Sequence, residues 1–354
     1  MNRNRKIKSA IQNISRPTVS INPGNMKKKI ELIKDSDNIN FCVFKSINNI
    51  YHLIYKNNLN YIISYDLTNS QKLSQIKFTN FDFDEIKHFL DKINKRDLIF
   101  FYNFDTIRIF NAADWTCMAQ IKENINEINR RMPGVVYIIK AFDKRNGGIN
   151  ACLFENNKKN YILTSYLNSQ YFKFWELNGH KIKDIKTPND KNIIIETYNF
   201  FIISGNYNCC TSYNFNTKIF KKYKVIKNGN NNYKFYNFVV YKDKKGILKL
   251  IAKAQQSHID KYSIFIWNFN SGDIINKTDF SIIQFDSGFN LWNENYLIFG
   301  VGQKFRIYNL FKEQFTQDIQ IKDNIYYFKI INHPKFGKCI IYSDYNKKIH
   351  LLYN

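Results

Sequence analysis

An all-β fold is what this sequence predicts, and three observations carry that prediction. The chain is rich in the residue types that suit pleated strands: 17% is aromatic, with 31 Phe and 24 Tyr. Its apolar residues alternate in short runs that end in Asn, Asp and Ser, with only 13 Gly and 5 Pro in 354 residues. One hairpin pattern then returns again and again, and a fixed repeat is the strongest architectural signal a single sequence holds.

The unit is clearest in SIFIWNFNSGDIINK, residues 263–277: an alternating strand ends in an aromatic and an amide, a polar turn follows, and a second apolar stretch begins at Ile274. Counterparts are YIISYDLTNSQKLSQIKF from 61, TIRIFNAADWTCMAQIK from 106, YFKFWELNGHKIKDIK from 171, CCTSYNFNTKIFKKYK from 209 and KFRIYNLFKEQFTQDIQ from 304. Their aromatic positions, Tyr65, Phe110, Trp175, Tyr213, Trp267 and Tyr308, stand 45, 65, 38, 54 and 41 residues apart. A period of about 40–45 residues is the length of a four-stranded propeller blade. The 65-residue gap holds less than a further blade and so carries an insertion, about residues 124–146.

Each hairpin is preceded by another strand: YHLIY from 51, DLIFFY from 97, NYILTSY from 160, FFIISGN from 200, ILKLIA from 247 and YLIFGV from 296. A less regular apolar segment comes before these, such as INFCVF from 39, INACLF from 149 or YKFYNFVVY from 233. Four antiparallel strands per period follow, and the near-continuous apolar runs fit sheets covered on both faces. Asn tolerates left-handed backbone, so an Asn-rich, Gly-poor chain can still turn tightly. The last period, IYYFKIIN from 325, KCIIYSDYN from 338 and KKIHLLYN from 347, has three strands only. KKKIELIKD, residues 27–35, precedes the first period without a partner. The expectation is a seven-bladed propeller over 27–354, closed by this N-terminal strand completing the last blade, with a basic, flexible arm over 1–26.

These repeats resemble those of divergent WD-repeat proteins of the transducin-like, protist-expanded type, from about residue 39 to the end. KRDLIFFYNFDTIRIFNAADWTCMAQI is similar to the second repeat, NYILTSYLNSQYFKFWELNGHKIKDI to the third and FKIINHPKFGKCIIYS to the last. The resemblance implies a seven-bladed propeller that binds other proteins and has no catalytic activity of its own. It implies a structural turn Asp at Asp105 and at Asp344. The Trp-Asp signature survives only as Trp175-Glu176 and Trp267-Asn268, or with Tyr and Phe in place of Trp. Gly179-His180 falls inside a hairpin, where the family's Gly-His does not, so the His–Asp networks of regular members are expected to be mostly absent.

Function classes are narrowed by what the chain carries. No apolar run reaches the roughly 18 residues of a membrane-crossing helix. Cys42, Cys117, Cys152, Cys209, Cys210 and Cys339 form no Cys-x-x-Cys pair, so no zinc or other metal site is expected, and reduced thiols are. There is no phosphate loop, no His-Glu-x-x-His and no Gly-x-Ser-x-Gly, and the histidines are scattered; neither an enzyme activity nor a cofactor is expected. The formal charge of +24 favours polyanions, or reflects lysine drift on a solvated surface.

Two segments are candidates for partner binding. Residues 1–29 contain no acid and carry Arg3, Arg5, Lys6, Lys8, Arg16 and Lys27 to Lys29, with Ile7, Ile11 and Ile14 on one helical face. They read as a solvated tail, as a basic arm, or as a mitochondrial transit peptide against a cytoplasmic default. The insertion places Arg130, Arg131, Lys144 and Arg145 on a connection between blades, on the face that also carries the loops between second and third strands. The reading is a non-catalytic protein–protein interaction platform or scaffold subunit of a larger assembly. The alternative is a basic RNA- or nucleic-acid-associated subunit of a ribonucleoprotein particle.

Overall fold

Each repeat becomes one four-stranded antiparallel sheet in the computed structural model, and the sheets together form an all-β propeller. The structure describes residues 23–34, 36, 40–78, 81–103, 105–122, 149–156, 158–166, 171–186, 194–197, 200–203, 208–214, 217–225, 232–256, 261–281 and 286–354. The basic arm ahead of Pro23 and the insertion with Arg130, Arg131, Lys144 and Arg145 lie outside the described residues.

Strand β1 (Lys28–Ile33) comes first, after a single 3-10 turn at Pro23–Asn25. The first repeat gives β2 (Cys42–Lys45), β3 (Tyr51–Lys56), β4 (Tyr61–Asp66) and β5 (Gln71–Lys77). The second gives β6 (Glu85–Asp91), β7 (Arg96–Tyr102), β8 (Thr106–Asn111) and β9 (Cys117–Lys122), and the third β10 (Ile149–Asn156), β11 (Lys159–Tyr166), β12 (Tyr171–Glu176) and β13 (Lys181–Lys186). The fourth contains β14 (Ile194–Thr197), β15 (Phe200–Ile203), β16 (Cys209–Asn214) and β17 (Ile219–Lys224). The fifth contains β18 (Tyr233–Lys242), β19 (Leu248–Gln256), β20 (Lys261–Asn268) and β21 (Ile274–Ser281). The sixth is β22 (Asp286–Asn293), β23 (Tyr296–Val301), β24 (Lys304–Asn309) and β25 (Gln314–Gln320). Strands β26 (Ile325–His333), β27 (Gly337–Asp344) and β28 (Ile349–Tyr353) follow, and β1 pairs antiparallel with β28 at Lys28 with Tyr353 through Ile33 with Ile349.

Apart from β1, the strands of each sheet meander in chain order, so the first strands of neighbouring sheets face one another: β2 lies against β6, β6 against β10, β10 against β14, β18 against β22, β22 against β26, and β26 against β2. Side chains stitch these seams. Ser287 Oγ donates to the Ile325 carbonyl at 2.8 Å, Tyr223 Oη to the Phe269 carbonyl at 3.0 Å, and His333 Nε2 donates to the Leu67 carbonyl at 3.1 Å. Between the sheets lie apolar clusters such as Leu98, Phe100, Ile109, Leu153 and Ile162, which are the inward sets of two adjacent repeats.

The aromatic–Asx dipeptide that marks each repeat splits its work between packing and turn geometry. The aromatic closes the third strand and is buried at Phe110, Trp175, Tyr213, Trp267 and Tyr308. A β-bulge falls at this position in five of the six hairpins that carry the dipeptide, between Ser64 and Tyr65, Ile109 and Phe110, Phe174 and Trp175, Ile266 and Trp267, and Ile307 and Tyr308. The extra residue lies on the fourth strand, such as Leu73 or Met118, and increases the local twist there. The following Asx caps the turn: Asp66 Oδ1 accepts from Thr68 N at 2.7 Å, Asn268 Oδ1 from Asn270 N at 2.9 Å and Ser271 N at 3.1 Å, and Asn309 Oδ1 from Phe311 N at 2.9 Å and Lys312 N at 2.8 Å. At Trp175-Glu176 the glutamate is too long for this, and Gly179 at φ 87° closes the turn instead.

Asn therefore matters more through its side chain than through its backbone. Of the eleven described non-glycine residues with positive φ, Asn49, Asn60, Asn208 and Asn237 are Asn, and the others include Lys95, Lys218, Glu313 and Lys347. The expectation that Asn would fill the left-handed positions holds only in part, because others such as Asn57, Asn103, Asn268, Asn293 and Asn309 instead accept from turn amides through Oδ1. The expected turn acids also differ. Asp344 Oδ1 accepts from Lys348 N at 3.0 Å and closes its turn. Asp105 accepts only from the Thr106 hydroxyl at 2.9 Å, while Asn103 Oδ1 takes Asp105 N at 3.1 Å and Thr106 N at 2.7 Å and so does the closing there.

Candidate interaction surface

In a meander, the turns after the first and third strands share one end of the sheet, and the turn after the second strand shares the other end with the connection to the next sheet. Among the described residues, which leave out several of the loops at the second end, exposed large apolar side chains are found mainly at the first. Ile47, Ile93 and Ile247 sit in first turns, Phe311 in a third turn, and Ile219 and Ile274 open the fourth strands that follow third turns. The opposite end shows Leu59 and Tyr345. Phe311, at 89% exposure, is the extreme case.

These tips are held, not loose. Phe311 N is fixed by Asn309 Oδ1, and Ile47 N donates at 2.9 Å to Asp97 Oδ2 of the neighbouring sheet. Asp243 Oδ1 accepts from Lys245 N and Ile247 N, both at 2.9 Å, and Asp91 Oδ1 accepts from Asn94 N at 2.9 Å. Opposing the burial that pushes it up, the amides of Ile247 and Lys245 and the Lys249 ammonium hold the Asp243 carboxyl below its ordinary value. Charged capping groups thus stay ionised beside apolar tips, and exposed Lys92, Lys95, Lys244, Lys245 and Lys312 surround them. Rigid apolar knobs in a basic field can receive a partner segment that alternates apolar and acidic residues, with little ordering cost on this side.

The expected face was the other one, through Arg130, Arg131, Lys144 and Arg145, which the described residues do not include. Sequence periodicity could not find the apolar tips because an exposed Ile in a turn looks, in one dimension, like the edge of a strand.

Among the described residues, several groups with reactive chemistry are packed into the fold. His52 and His88 stack on either face of Phe44, with ring centroids 5.0 and 3.9 Å away. His52 Nδ1 meets Ser64 Oγ at 3.0 Å and His88 Nε2 meets Asp97 Oδ1 at 2.7 Å. Burial lowers both imidazoles, although Asp97 pulls His88 the other way. Ser64 and Asp97 are themselves buried, so this stack ties the first two sheets together. The His–Asp pairing expected to be mostly absent is thus present here, and again at His350 Nε2 and Asp344 Oδ2, 2.8 Å apart. Burial pushes the Cys42 and Cys339 thiols up to about 12 and raises Cys209 and Cys210 as well. A thiol so raised stays protonated and is a poor nucleophile or metal ligand. The six cysteines are all free.

Among the described residues, no helix is long and apolar enough to cross a membrane. Compared with known proteins, the chain matches no protein-family model and no curated protein sequence.

Proposed function

We propose that the protein is a non-catalytic platform for protein–protein interaction, a seven-bladed WD-repeat-like propeller whose ring is closed by β1 and whose partner docks on the end that carries the first and third turns. The observation that carries the reading is the gathering of exposed Ile47, Ile93, Ile247 and Phe311 on capped turns at that end. Supporting it, the propeller fold commonly serves protein partners, and among the described residues burial raises the Cys42 and Cys339 thiols while His52 and His88 are packed on Phe44.

The test compares the tagged chain with a Phe311→Asp, Ile247→Asp double variant in its native cell. A specific co-purifying protein that the double variant loses, with thermal stability unchanged, is the expected result. Recovery of the same proteins by both chains would sink the proposed face, and recovery of the bait alone would sink the platform. The net charge of +24 supports a second reading, association with RNA as a basic subunit. That reading requires an affinity falling steeply with salt, roughly as the number of phosphates neutralised.

A further inference from the structure

Where the first and last strands meet, polar groups collect that the turn and sheet do not need. Asp323 lies in the connection between β25 and β26, Asp344 closes β27, and His350 lies on β28. Two carboxylate oxygens and one ring nitrogen from these three residues lie within 4.8 Å of one another. Lys29 of β1 reaches the same place, its Nζ 2.6 Å from Asp323 Oδ2.

Asp323 pairs with the Lys29 ammonium and Asp344 with His350, while Lys348, held by Glu31 at 2.9 Å, also lies in the field of both carboxylates. Two carboxylates this close to one another favour a cation between them. Hydrogen bonding is incomplete: with His350 Nε2 on Asp344, Nδ1 is buried without a partner, and the fully buried Tyr342 hydroxyl has none either. Tyr342 belongs to the cluster, its ring 4.8 Å from that of His350 and 5.6 Å below Lys29 Nζ, and it feels the charges of both Asp323 and Asp344. Buried polar atoms are seldom left orphaned, and the Tyr342 hydroxyl, on a ring packed against His350 and Lys29, marks a place for a ligand with open bonding positions.

We propose that Asp323, Asp344 and His350 bind a divalent cation of the zinc class, with Lys29 its built-in competitor for Asp323. Two carboxylate oxygens and an imidazole nitrogen suit Zn2+ or Co2+ better than Mg2+ or Ca2+, which take oxygen ligands. An approach exists, because Asp323 and Lys29 side chains are 27% and 32% exposed while Asp344 and His350 are buried behind them. The bound ion would connect the β25–β26 connection, the β27–β28 turn and β28, and would move Lys29 off Asp323.

The test uses the full chain, freed of metal by chelator, with Co2+ as a spectroscopic probe and Zn2+ in competition. The expected result is one equivalent of Co2+ with a spectrum of nitrogen and oxygen ligation and displacement by Zn2+ but not by Mg2+. Asp323→Asn, at a side chain 27% exposed in a connection between strands, should weaken binding by about tenfold or more, the scale of losing a ligand or its support. Lys29→Gln should tighten it by about two- to fivefold, the worth of an exposed ion pair removed from competition. A thiolate band in the Co2+ spectrum, an Asp323→Asn chain that binds as tightly as the parent, or a Lys29→Gln chain that binds no better would each overturn the site.

Discussion

Trp175 and Trp267 occupy equivalent places in their sheets, yet the same substitution should affect them very differently. Trp175 Nε1 donates to Thr164 Oγ1 at 2.8 Å, and Thr164 is fully buried. Trp267 is also fully buried, stacked on Phe265 at 5.4 Å and edge-on to Phe235 at 5.7 Å, but its Nε1 has no partner. Replacing either by Phe removes part of a ring, a loss of about 1–2 kcal/mol in burial and cavity terms. At Trp267 the change also removes an unmet buried donor, which offsets about 1–3 kcal/mol and brings the net effect close to zero. At Trp175 it breaks a hydrogen bond and orphans the Thr164 hydroxyl, adding about 1–2 kcal/mol for a total near 3. Equilibrium urea denaturation followed by far-UV circular dichroism separates the two, provided the slope with denaturant stays constant. If Trp267→Phe loses as much stability as Trp175→Phe, the assignment of the unmet indole is wrong.

Three further outcomes are expected. Removing residues 1–38 takes away β1 and exposes the edge of β28, so the truncated chain should lose its cooperative thermal transition; an unchanged melting curve would contradict closure by β1. Asn268→Ala and Asn309→Ala each delete two turn hydrogen bonds and should cost about 1 kcal/mol by urea titration, against less for Asn111→Ala, whose one cap bond is 3.3 Å long. Burial holds the Lys253 ammonium at about 7, below its unfolded value near 10.4, so the unfolded chain binds the extra proton across that window and stability rises with pH through it. Lys253→Met should therefore stabilise the protein more at pH 6 than at pH 9, and a gain independent of pH would show that Lys253 is not carried neutral in the fold.

The strands and their grouping were legible because period-two alternation and a recurring aromatic–Asx dipeptide are local signals. Lys28–Ile33 belongs to no repeat of its own, and its pairing with β28 joins residues from the two ends of the described chain. Signals that depend on the third dimension were not legible. Nothing in the spacing of Asp323, Asp344 and His350 announces a cluster, since the chain must turn twice to bring them within 4.8 Å, and no Cys or His pair flags them. Asn103 and Asp105 both fit the turn ahead of β8, and only the structure tells that Asn103 Oδ1 takes the backbone amides while Asp105 Oδ1 takes the Thr106 hydroxyl. His88 and Asp97 are nine residues apart on paired strands, a relation visible once the register is known and invisible before it.

The pairing of β1 with β28 has a kinetic side. Glu31 and Lys348, which meet at 2.9 Å, are separated by 317 positions, while nearly all other strand pairs are joined by short turns. Bringing such distant points together costs about 5 kcal/mol of chain entropy beyond a constant term. During synthesis β1 leaves the ribosome long before its partner exists, so one strand of every nascent molecule waits unsatisfied while sheet after sheet is completed behind it. The slowest step in reaching the native state should be this final meeting, and a chaperone that shields a single short basic strand would be enough to guard it.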